Sequence, residues 1–227
     1  MISTAPYTID KYKLESGNFE SNRLFLQKNM IHLQGKKVLE LGSGSGNMVK
    51  YLTEQGIKIN GSDVDENFIN FAKDKYQLEL SQLDAQKINL PDNSFDTIIS
   101  FDVFEHLADS DAHLIEVKRI LTKGGYYLLQ TPNKWLNIPF EIIKKKSFSR
   151  YKNYHVSLHN YWQLKQRFER HGFSVEFQDI PVVNTYFTMK VERFLGVFGR
   201  MLLKIINPDC FPIFLRTNFY LVAKVNK

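Results

Sequence analysis

Between residues 20 and 132, short apolar runs alternate with stretches whose apolar positions recur every three or four residues. The short runs read as strands and the 3.6-residue period reads as helix. The pattern predicts a helix over 20–33, a strand at Lys37–Leu41, a helix over 45–55 and a strand at Ile57–Ser62. A helix over 65–75 and a strand over 78–82 follow, then a strand at Thr97–Phe101, a helix over 110–121 and a strand at Tyr126–Thr131. Strands interleaved with helices of this length imply right-handed βαβ crossovers, so the class is α/β with a doubly wound, mostly parallel sheet. Gly35, Gly56 and the pair Gly124-Gly125 stand at helix-to-strand joints, where a left-handed residue is often needed.

After Thr131-Pro132-Asn133 the rhythm changes. Residues 134–158 read as irregular and basic, a helix follows over 160–171, and strands are expected at Phe173–Asp179 and Asn218–Val225. An antiparallel pair needs only a short hairpin, so the 181–216 insertion must have structure of its own. Within 187–206, Val191, Phe194, Leu195, Phe198, Met201, Leu202 and Ile205 recur at helical spacing, interrupted by Lys190, Arg193, Arg200 and Lys204. That is an amphipathic helix with a cationic face. It suits an interfacial helix touching anionic lipid, or a lid or dimer helix whose stripe is buried.

Composition adds limits rather than detail. With 227 residues, 43% hydrophobic and 24% charged, the chain reads as one ordinary globular domain over 1–227. The single cysteine, Cys210, cannot form an internal disulfide. Met1–Thr8 has no charged segment leading into an apolar core, and no run of about 18 apolar residues occurs. A cytoplasmic protein is expected, with attachment at the inner membrane face through 187–206 left open. The net charge of +6 is unevenly placed: residues 1–132 carry 14 basic and 18 acidic residues, whereas 133–204 carry 13 and 5. A basic half can face phosphate, membrane or nucleic acid. Nucleic acid is the weakest choice, since no zinc-finger spacing or ribonucleoprotein motif accompanies the charge.

The most specific signal is Val38-Leu39-Glu40-Leu41-Gly42-Ser43-Gly44-Ser45-Gly46, an apolar strand running into three alternating glycines before a helix. Such a turn lets backbone amides approach a ligand at a helix N-terminus. The acidic-x-Gly-x-Gly-x-Gly spacing differs from the dinucleotide Gly-x-Gly-x-x-Gly. Here the chain resembles the class I S-adenosylmethionine-dependent methyltransferases, whose Rossmann-like sheet has seven strands, the last antiparallel. The resemblance implies that Glu40, Gly42, Gly44 and Gly46 cradle S-adenosylmethionine. It also implies that Asp63, with Val64 beside it, takes the ribose hydroxyls, and that Asp84-Ala85 meets the adenine. Leu121-Thr122-Lys123-Gly124-Gly125 resembles the family's Leu-Lys-Pro-Gly-Gly turn, with Lys123 in place of proline. A nucleotide-sugar or NAD enzyme on the same sheet, or a cofactor binder without catalysis, are the competing classes.

Phe101-Asp102-Val103-Phe104-Glu105-His106-Leu107 resembles the strand-four segment of the ubiquinone-biosynthesis O-methyltransferases. By that likeness Phe101 contacts the cofactor, and Arg23, 19 residues before Gly42, takes its carboxylate. Asp102, Glu105 and His106 fall at i, i+3 and i+4, so a helical turn would gather them on one face as ligands for a divalent metal. The plainer reading is that Glu105 and His106 fix the loop. Transfer to a hydroxyl also needs a base, for which His106 and His155 are candidates and His159 is a third. The acceptor is expected to be a small molecule or a glycan or lipid precursor, and a homodimer is open.

Overall fold

The computed structural model describes residues 18–145 and 155–226. The Met1–Thr8 segment and residues 146–154 of the basic stretch lie outside the described residues. Seven strands form one sheet in the order β3-β2-β1-β4-β5-β7-β6. They are β1 (Val38–Leu41), β2 (Ile59–Asp63), β3 (Ser81–Gln82), β4 (Phe95–Phe101), β5 (Leu121–Pro132), β6 (Phe173–Gln178) and β7 (Asn218–Val225). β7 runs antiparallel to both β5 and β6, and the other pairings are parallel. The helices are α1 (Phe19–Lys28), α2 (Asn47–Glu54), α3 (Glu66–Tyr76), α4 (Ser110–Ile120), α5 (Lys134–Lys145), α6 (Tyr161–Arg170) and α7 (Thr185–Ile205).

Two cores explain why the sheet is wound on both sides. Ile98, Tyr127, Leu129, Phe219 and Leu221 pack with Leu114 and Val117 of α4 and Leu164 and Phe168 of α6. Their sequence neighbours Ile99, Leu128, Tyr220 and Val222 pack instead with Phe25 and Leu26 of α1 and Met48 and Leu52 of α2. The period-2 alternation of a strand therefore splits each apolar run between two helical layers. At about 25 cal/mol per Å² of apolar surface, each fully buried Leu, Ile or Phe contributes about 1.5–3 kcal/mol before chain entropy is charged against it.

Several expectations are corrected. Residues 134–145 are helical despite Pro139, because Asn133 caps the start through Trp135 N at 3.1 Å. The glycines Gly124-Gly125 lie within β5 at an irregularity in its pairing with β4, not ahead of the strand. The first helix stops at Lys28 and a separate 3₁₀ turn covers Met30–His32. β3 is reduced to two residues.

Strand order reverses between β2 and β4, the two neighbours of β1. Ligands of open α/β sheets bind in the crevice at the carboxyl ends of strands at such a switch point. Both informative sequence segments emerge there. Among the described residues, no helix is long and apolar enough to cross a membrane.

Candidate active site

The glycine loop leaves β1 and is stitched to β2. Ser43 N donates to Ser62 O at 2.7 Å, Ser62 N to Ser43 Oγ at 3.0 Å, and Ser62 Oγ to Glu40 O at 2.9 Å. Gly42, Gly44 and Gly46 all hold positive φ, +71°, +51° and +78°. At Gly42 the need is also steric, because a Cβ would lie 2.3 Å from Val103 Cγ2 in the loop after β4. The two loops thus close on each other at the switch point. Gly44 differs, since a Cβ there would meet no atom within 4 Å.

Two buried carboxyls face this loop. Asp63 accepts from Gly44 N at 2.8 Å and from Asp65 N at 2.9 Å, so it holds the loop against the end of β2. Burial raises its pKa, opposed by those amides. Glu40 is 3% exposed and its Oε2 is buried with no hydrogen-bond partner. Burial pushes its pKa up to about 8, opposed by hydrogen bonds from Ser43 and the Val49 amide and reinforced by the neighbouring Asp63 charge. An orphaned buried carboxyl oxygen has a large desolvation cost that a cationic ligand would offset.

Val64, Asp84, Ala85 and Phe101 stand at or after the carboxyl ends of β2, β3 and β4, whereas Arg23 stands on α1. Asp84 is exposed, closes a turn onto Gln86 N at 2.8 Å, and follows β3, whose Gln82 is in register with Asp63. Ala85 O is bonded to His113 Nδ1 at 2.7 Å, and Val64 is 54% exposed. Phe101, at the end of β4, packs edge-on against Phe25 at 6.4 Å. Arg23 pairs with Glu20 at 2.7 Å while its Nε is buried without a partner.

The segment after β4 corrects the sequence reading. Asp102 has φ +55° and precedes a short 3₁₀ turn at Phe104–His106, so no α-helical face gathers Asp102, Glu105 and His106. Asp102 accepts Asn18 Nδ2 on both oxygens at 2.9 Å, and its own amide donates to Gln130 Oε1. Instead, donor atoms of Glu105, His106 and His155 all lie within 4.8 Å of one another. The His106 and His155 rings stand 5.0 Å apart. Glu105 is buried and accepts Thr131 Oγ1 at 3.1 Å, and burial followed by the Asp102 charge raises its pKa well above the usual carboxylate range. His155 Nδ1 meets Asn137 Oδ1 at 2.9 Å. An amide oxygen only accepts, so Nδ1 carries the hydrogen and Nε2 is the basic nitrogen. His159 is buried with its pKa lowered to about 4, chiefly by burial.

A buried relay escaped sequence reading. His113 joins Ala85 O to Tyr127 Oη at 2.9 Å, and Tyr127 Oη meets Ser100 Oγ at 2.6 Å. It fastens the Asp84-Ala85 loop to the floor of the sheet. Burial lowers the His113 pKa to about 4. Nothing in the spacing of residues 85, 100, 113 and 127 signals this.

The Methyltransferase domain family matches residues 39–129, the span from β1 to β5 that carries the loop and its carboxyls. Residues 39–129 carry a methyltransferase domain whose relatives are S-adenosylmethionine-dependent. The "Probable S-adenosylmethionine-dependent methyltransferase" of Mycolicibacterium smegmatis is 28% identical over 174 residues, covering 76% of this chain and 65% of that protein. The fatty-acid O-methyltransferase of the same organism is 34% identical over 112 residues, 47% of this chain and 41% of that one. Phosphoethanolamine N-methyltransferases of Arabidopsis thaliana also match. A methyltransferase structure from Archaeoglobus fulgidus superposes with a TM-score of 0.64 at 20% identity, covering 95% of this chain and 97% of that one. The chain thus spans 65% or less of the length of these curated relatives. For the methyltransferase domain, the open flank of Gly44 and the orphaned Glu40 oxygen fit a cofactor that brings an ammonium group.

Proposed function

We propose that the protein transfers the methyl group of S-adenosylmethionine to an oxygen of a small or lipid- or glycan-linked acceptor. The observation that carries the reading is the glycine loop held by Asp63 beside Glu40, one of whose buried carboxyl oxygens has no hydrogen-bond partner. The cofactor supplies a methyl already activated on a sulfonium, so the protein's task is mainly alignment. Glu40 would face the ammonium, Asp63 the ribose hydroxyls, Asp84 with Ala85 the adenine, Phe101 a flank and Arg23 the carboxylate. Val64 and the amides of Gly42, Gly44 and Gly46 would line the crevice. The fatty-acid O-methyltransferase likeness supports oxygen and a lipid-type acceptor.

A hydroxyl acceptor must lose its proton. His155 Nε2, in a ring held by Asn137, or the half-exposed His106 beside it would take it. The Glu105, His106 and His155 cluster supports a second reading, a divalent ion that would polarise the hydroxyl instead. The experiment separates them. If a histidine is the base, His106→Ala or His155→Ala lowers kcat by about 10²-fold or more with S-adenosylmethionine affinity unchanged, and chelator has no effect. If a metal acts, chelator abolishes turnover and Mg²⁺ or Zn²⁺ restores it. Full activity in chelator and in both variants removes both roles.

A further inference from the structure

The insertion between β6 and β7 leaves the fold from a pinched base. Asp209 accepts the amide hydrogens of Val182 and Val183, each at 2.9 Å, and Arg216 ties Asp209 to Asp179. Those bonds lock together the two chain ends flanking α7, and Asn184 caps its first turn through Phe187 N. The helix then breaks at Gly196, where φ +61° and ψ −152° define a conformation essentially open only to glycine. The break is sharp enough to bring Gly199 against Val191, eight residues earlier. A Cβ at Gly199 would lie 2.9 Å from Val191 O, whereas in a straight helix Cα atoms eight residues apart are separated by about 12 Å.

On the far half, Val197, Phe198, Met201, Leu202 and Ile205 occupy one helical arc and are 43–81% exposed. Gly199, on the opposite side, is buried. Five large apolar side chains in nine residues form a patch that a freely dissolved chain has no reason to keep in water. Among the described residues, nothing buries these five side chains. The cationic side of the helix falls partly outside the described side chains, but its sequence gives Lys190, Arg193, Arg200 and Lys204 against Glu192, a net charge of 4 − 1 = +3. That charge selects the occupant. A second copy would bring +3 against +3, whereas an anionic leaflet offers acyl chains for the stripe and opposite charge for its flanks.

We infer that α7 is a membrane-docking arm, held out from the sheet by the Asp209 clasp and seated by its far half in the surface of an anionic bilayer. The inference does not depend on the methyl-transfer reading, because its test requires neither cofactor nor turnover. The whole protein is sedimented with phosphatidylcholine vesicles with and without phosphatidylglycerol. It should partition to the anionic vesicles alone, and less so as salt rises. The variant carrying Phe198→Gln, Met201→Gln and Ile205→Gln should weaken partitioning about tenfold or more. Arg193→Gln should weaken it about fivefold, the worth of one juxtamembrane cation. Phe198→Trp should give emission that shifts to the blue on anionic vesicles, a readout independent of how well the triple variant folds. No binding to anionic vesicles would overturn the inference, as would binding that the triple variant retains. A concentration-dependent dimer that the triple variant dissolves, without vesicle binding by either protein, would assign the stripe to a second copy and overturn it equally.

Discussion

Gly44 and Gly56 make a matched pair for testing the cofactor loop. Both have positive φ, +51° and +76°, and a Cβ added at either meets nothing within 4 Å. Alanine in a left-handed conformation costs about 1–2 kcal/mol, and the stiffer unfolded chain returns about 0.4–1 kcal/mol. Each variant should therefore lose about 1 kcal/mol, which for a chain of this size lowers Tm by about 2–4 °C. The binding consequences should diverge. Gly44 stands between β1 and α2 at the carboxyl edge of the sheet, with its amide on Asp63, where a methyl would fill the space proposed for the cofactor. Gly56 ends α2 at the opposite, amino edge, ahead of β2. Titration calorimetry beside differential scanning fluorimetry should show Gly44→Ala losing about tenfold or more in S-adenosylmethionine affinity, or about 1.4 kcal/mol, while Gly56→Ala stays near wild type. Wild-type affinity in Gly44→Ala, or equal losses in both, would refute the placement of the cofactor at this loop.

Two further outcomes follow from buried titratable groups. Glu40, with its pKa pushed up to about 8, is mostly protonated at pH 7, and a ligand ammonium should ionise it. Binding should then release part of a proton, seen as a buffer-dependent calorimetric enthalpy near neutral pH that Glu40→Gln abolishes. The same raised pKa means that Glu40's contribution to stability is full below about 4.5 and is lost as pH rises towards about 8, so Glu40→Gln should flatten that decline in denaturant melts. His113 has the opposite sign. Its folded pKa of about 4 lies below 6.5, so its contribution is full above 6.5 and falls away towards pH 4, by on the order of 3 kcal/mol. His113→Gln should shallow the acid limb of a pH-stability curve, and an unchanged limb would refute that assignment.

The core of the fold was legible because its signals are local. The run Val38–Leu41 is buried on every residue, and no other element than a central strand entering a glycine turn suits that sequence. Helix periodicity likewise located α2, α3, α4 and α6 to within a few residues. The failures have physical causes. Pro139, at the sixth position of α5 where its missing N–H forfeits an i→i−4 bond, and the basic run after it hid that helix. The apolar spacing of α7 continues through Gly196, so the pattern could not show the break there. At Asp102 a left-handed residue turned the chain away from the helical path that i, i+3, i+4 counting assumes. His155 beside His106, and the His113–Tyr127–Ser100 relay, join residues far apart in sequence, which single-chain spacing does not encode.

On the proposed function, the loop at the switch point presents S-adenosylmethionine for transfer to an oxygen nucleophile. That reading is tested most directly by following S-adenosylhomocysteine formation over a panel of fatty acids, phenols, polyprenyl and glycan hydroxyls, and amines, in parallel with NAD titration. Product is expected from at least one oxygen acceptor, with methyl label recovered on that oxygen, turnover lowered in Gly44→Ala at limiting S-adenosylmethionine, and no NAD binding. Saturable NAD binding with no S-adenosylmethionine binding, or methyl label found only on nitrogen, would contradict it.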